Sequence, residues 1–119
     1  MKYTEEDFFK FERSTNILLD SVVDYLLIEL KQDLYTATIN FIFPFRSDYK
    51  SLQIYIEEIV TLNINQGMES VGQQIHNYKF LKQDEYYYLC LDPDESSTES
   101  TKEDQDFFLF EKLIAVLKT

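Results

Sequence analysis

The sequence predicts an α+β domain, an N-terminal amphipathic helix packed across an antiparallel sheet of about five strands. Three observations lead there. Apolar residues recur at three- and four-residue steps as far as Leu30. From Leu34 the period changes to two. Near the end, two aromatic runs bracket a stretch too acidic to be buried.

Thr4-Glu5-Glu6-Asp7 has the form of a helix start, a hydroxyl cap followed by acids at the positive end of the helix dipole. Phe8, Phe11, Leu19, Val22, Val23, Leu26, Leu27 and Leu30 then form one wide apolar stripe, widened by Tyr25 and Ile28. Ser14-Thr15-Asn16 is a weak point where short polar side chains compete for the backbone, dividing a short arm from a longer body that ends near Lys31. Tyr35, Ala37, Ile39, Phe41 and Phe43 alternate with Thr36, Thr38, Asn40 and Ile42, a strand with one wet face that Pro44 ends. Arg46-Ser47-Asp48 is a turn. From Ser51 to Ile64 one parity is apolar except at Glu58, so either a bulge near Glu57-Glu58 shifts the register or two short strands follow each other. Ile59 on the opposite parity favours the bulge. Asn65-Gln66-Gly67 breaks the pattern, and Met68 to Gln74 is a helical turn or a loop. Ile75–Lys82 and Glu85–Asp92 make a hairpin around Gln83-Asp84. Phe107 to Leu117 fits a strand or a short helix. The shared parity of Phe108, Phe110, Ile114 and Val116 favours a strand, bent at Glu111-Lys112.

A length of 119 residues points to a single domain, residues 1–119. With 45% hydrophobic and 16% aromatic residues the chain has the apolar area to offset its ordering entropy. The net charge of −11 repels phosphate backbones and anionic membranes, so neither nucleic acid nor a membrane is an expected partner. It attracts basic proteins. A lone Cys90 forms no internal disulfide and, with the single His76, builds no metal cluster. The start MKYTEEDFF has no long apolar stretch of a signal peptide, and the expected location is the cytoplasm.

The densest chemistry lies between the aromatic runs. Asp92, Asp94, Glu95, Glu99, Glu103, Asp104 and Asp106 stand against Lys102 alone. This acidic arc is either a solvated loop or a docking surface whose carboxylates occupy the phosphate positions of a cationic cleft. Asp92, Asp94, Ser96, Thr98, Ser100 and Glu103 also have the spacing of a calcium loop. Ser97 stands where such a loop needs glycine, Glu99 where it needs an aliphatic residue, and the flanks are strands, so no metal site is assigned. Tyr86 and Tyr88 are candidate apolar anchors. Cys90, inside YYYLCL, is a buried small hydrophobe. His76 has no matching acid and nucleophile, and Glu57 and Glu58 point to opposite strand faces. No catalytic residue and no cofactor is expected, and the chain is not read as an enzyme.

The run YYYLCLDPDE through DQDFFLFEKLIAVL resembles a pattern in immunity proteins of bacterial toxin–immunity systems, including those of contact-dependent growth inhibition. Those small cytoplasmic proteins often end with a strand reading LDP-acid, an acidic loop and a D-x-D-aromatic strand. Here these are Leu91-Asp92-Pro93-Asp94 and Asp104-Gln105-Asp106-Phe107. The resemblance implies tight, non-catalytic binding to a cognate toxin domain, often a nuclease. The arc acids would supply the charge, and Tyr86 and Tyr88 the anchors. An acidic dimeric chaperone for a secreted effector is the alternative, and it predicts self-association.

Overall fold

The N-terminal helix is much shorter than the apolar steps predict. In the computed structural model, which describes residues 1–65 and 70–119, β1 (Lys2–Thr4) leads into α1 (Glu5–Thr15). Then come β2 (Val22–Lys31), β3 (Leu34–Ile42), β4 (Ser51–Asn63), β5 (Lys79–Gln83), β6 (Tyr86–Asp92) and β7 (Gln105–Lys118). The predicted α+β class with about five strands is therefore corrected to a mainly β architecture, in which the described residues form one antiparallel sheet of seven strands and one short helix.

The weak point at Ser14-Thr15-Asn16 ends the helix outright. The Ser14 and Thr15 hydroxyls both donate to the Phe11 carbonyl, and Asn16 takes a left-handed conformation at φ 51° while its amide donates to the Glu12 carbonyl. Downstream, a bulge between Val23 and Tyr25 explains the helix-like spacing. It shifts the side of the strand that faces inward, so Val23 pairs with Phe41 whereas Leu26 and Ile28 pair with Ile39 and Ala37. Core positions therefore step by three and then by two. With Tyr25 and Leu27 apolar on the opposite face, a strand imitates an amphipathic helix.

The other strand predictions hold, apart from β5, which starts at Lys79 rather than Ile75. β4 runs unbroken with a register shift between Ile59 and Thr61, next to a left-handed Glu58. β7 is a strand throughout. Gln66 to Glu69 lie outside the described residues, and with them part of the Asn65-Gln66-Gly67 break and the start of the Met68–Gln74 reading; Ser70 to Gly72 form a turn.

The strands run in the order β2-β3-β4-β7-β6-β5, with β1 beside the C-terminal half of β7. The segment that leads into β5 closes against the start of β2. Val22 bridges Gln74, the Gly72 amide donates to the Val23 carbonyl, and the Ile75 amide donates to the Ser21 carbonyl. Inside lies one core cluster that includes Phe41, Ile54, Ile56, Phe108, Phe110 and Leu113. Helix α1 closes it through Phe8, whose ring lies 5.7 Å from Phe80, and Phe9, edge-on to Phe80 at 5.1 Å. No helix among the described residues is long and apolar enough to cross a membrane.

Candidate interaction surface

β6 ends at Asp92 and β7 begins at Gln105, so the acidic arc spans the gap between two strands paired side by side. Its polar residues fold around one carboxylate. Asp104 is fully buried. Its Oδ1 accepts from Lys79 Nζ at 2.9 Å and the Asp94 amide at 2.7 Å, and its Oδ2 accepts from the Tyr88 hydroxyl at 2.7 Å and the Thr101 amide at 3.0 Å. Lys79 Nζ also donates to the Glu99 carbonyl at 2.6 Å. Burial by itself would raise the Asp104 pKa. The bonds from Lys79, Tyr88, Asp94 and Thr101 outweigh it and hold the group well below the usual carboxylate range. A buried ion pair of this kind is secured by its extra hydrogen bonds.

Smaller ties fix the rest. The Ser96 amide and hydroxyl donate to the Asp94 carboxylate, the Glu99 amide donates to the Ser97 hydroxyl, and Gln83 Nε2 reaches the Ser100 hydroxyl at 2.7 Å. The arc is thus a folded loop pinned to β5 and β6.

The seven acids fall into two groups. Asp92, Glu95, Glu99 and Glu103 are exposed and Asp94 is half-buried. Asp104 and Asp106, predicted to meet a partner, are corrected to internal groups, because Asp106 is also buried and accepts from the Asn65 amide at 2.8 Å and from the Ser70 hydroxyl. Tyr88 is likewise withdrawn from the surface, its hydroxyl committed to Asp104, and burial followed by that bond raises its pKa. Tyr86 stays half-exposed where β6 leaves the hairpin turn. Among the described residues no three His, Cys, Asp or Glu side chains are grouped to hold a metal ion. Cys90 is buried, and burial pushes its thiol up to about 12.

Beside the start of the arc lies an open cleft of about 610 Å³, lined by polar residues including Gln74, His76, Asp92 and Glu95 and by the apolar Val71, Ile75 and Leu91. The cleft and the Lys79–Asp104 pair are long-range features. Lys79 is one base among eleven in the sequence, and nothing local marks it as the partner of an acid 25 residues away.

These features define a small, mainly antiparallel β protein with an acidic loop held by hydrogen bonds to β5 and β6. No protein-family model, no curated protein and no solved structure matches the chain.

Proposed function

We propose that this protein is a non-catalytic inhibitor that binds a cognate basic toxin domain, a nuclease by the resemblance of its C-terminal third, and blocks its site with the acidic arc in the bacterial cytoplasm. The observation that carries this reading is the division of labour within the arc. Asp104 is spent on folding the loop, with the Asp94 carboxylate bound to Ser96 beside it, and four others, Asp92, Glu95, Glu99 and Glu103, stand exposed on it. A loop ordered before binding avoids the entropy cost of immobilising it on contact. Its charge accelerates encounter with a positive surface. Tyr86, at the hairpin end of β6, supplies an apolar contact, and the Asp92–Glu95 cleft receives a basic side chain.

The test asks whether the reading frame upstream encodes a large secreted protein with a variable C-terminal domain, and co-expresses that domain with this protein. The expected result is relief of growth arrest and a stable complex that dissociates as salt rises. A toxic domain neither bound nor neutralised by this protein would reject the proposal.

A further inference from the structure

The opposite side of the sheet departs from the usual pattern of an antiparallel sheet, whose solvent face is polar. Outward positions on the middle strands are apolar: Tyr55 of β4 stands opposite Ile114 of β7, and Val116 follows on the same face. Tyr25 and Leu27 extend the face across β2 and are 42% and 49% exposed. Helix α1 packs on the other side, where Phe8 joins the core, and among the described residues every outward position in these rows is exposed or half-buried. Thr38 and Asn40 of β3 and Gln53 of β4 complete an uncharged centre.

Charged residues flank these rows on the same face: Glu57 of β4 pairs with Lys112 of β7 one step beyond Tyr55 and Ile114, and Glu29 follows Leu27 on β2. Asp24 sits at the β2 side, accepting from Asn40 Nδ2 at 3.1 Å, and Lys2 of β1 and Lys118 of β7 sit at the other. On a chain of net charge −11 this is a face that a like-charged molecule can approach.

We propose that this face docks a second copy of the chain, giving a two-layer β-sandwich homodimer. Three features fit a copy of itself. Rotating one molecule by a half turn about an axis along the strands lays the β2 margin over the β1–β7 margin, so Asp24 of each copy meets Lys2 of the other. Five strands at about 4.8 Å, with side-chain rows about 6.8 Å apart, cover on the order of 500 Å² in projection. A standard interface buries roughly 800 Å² per partner, so this face lies at the small end of stable dimer contacts. Face-to-face packing of twisted sheets also needs only such a mixed apolar layer on both sides. The acidic arc, at the other end of β7, stays open in both copies.

The experiment is light scattering on size-exclusion eluate for the unchanged protein, Ile114→Glu, Thr38→Lys and the arc variant Glu99→Lys, with circular dichroism to confirm folding. The unchanged protein and Glu99→Lys are expected at twice the monomer mass, and both face variants at the monomer mass. Thr38 is half-exposed at the middle of the face, so its variant reads the interface even if Ile114→Glu fails to fold. A monomeric unchanged protein overturns the proposal, as does a dimer that survives the folded face variants. Dissociation only by Ile28→Pro, which disrupts the β2 edge, would assign the contact to strand pairing instead and likewise overturn it.

Discussion

The inner and outer acids of one loop bear the same charge and do opposite work. Asp104 accepts from five donor groups and is held ionised inside the protein. Glu95, Glu99 and Glu103, a few residues away, project into solvent. The difference teaches that acid density in a sequence is not a map of surface charge. A chain that places many carboxylates together must still hold the segment in shape, and here Asp104 does so.

The comparison is tested most severely by Asp104→Ala. It leaves the Lys79 ammonium buried without its counter-charge, and the expected cost is about 3–5 kcal/mol in urea unfolding. Replacing Lys79 and Asp104 together by apolar residues of similar size is expected to cost less than Asp104→Ala alone, because no unpaired charge remains. A double variant as unstable as the single one would show that the pair itself is not the fastening.

Acid comes next. The folded-state pKa of Asp104 is lowered, so its contribution is fully present above the unfolded value of about 3.9 and is lost as pH falls below it. Glu12 has the opposite sign. Burial raises its pKa despite the bonds it accepts from the Tyr78 hydroxyl and the Leu18 amide, so its contribution is lost as pH rises through its folded value. Urea midpoints across this range are expected to fall toward low pH in the unchanged protein and less steeply in Asp104→Asn.

Much of the strand pattern was legible, and the reasons are local. Alternation marks β3, the parity switch at Ile59 marks the bulge of β4, and Asp84 closes the β5–β6 hairpin with a left-handed φ of 59°. β2 was not legible, because its bulge and its apolar outer face together reproduce a helical spacing. The acidic arc was visible as composition, but its two roles were not. Burial of Asp104 and Asp106 depends on Lys79, Tyr88, Ser70 and Asn65, which arrive from elsewhere in the fold.

Smaller effects sharpen the same contrast. Reversing Asp92, Glu95, Glu99 or Glu103 singly to lysine is expected to change stability by no more than about 0.5 kcal/mol, since each is exposed. A thermal shift as large as that of Asp104→Ala would erase the distinction between inner and outer acids. Cys90 is expected to resist thiol reagents near neutral pH until the protein unfolds, since its thiol is buried and titrates at about 12.

The most direct measurement is the stopped-flow association rate with the cognate basic domain at low salt, comparing the unchanged protein with Asp92→Lys/Glu95→Lys/Glu99→Lys/Glu103→Lys. With folding confirmed, the account expects the combined variant to associate at least about tenfold more slowly, with a weaker dependence on salt. An association rate unchanged by the four reversals would contradict it.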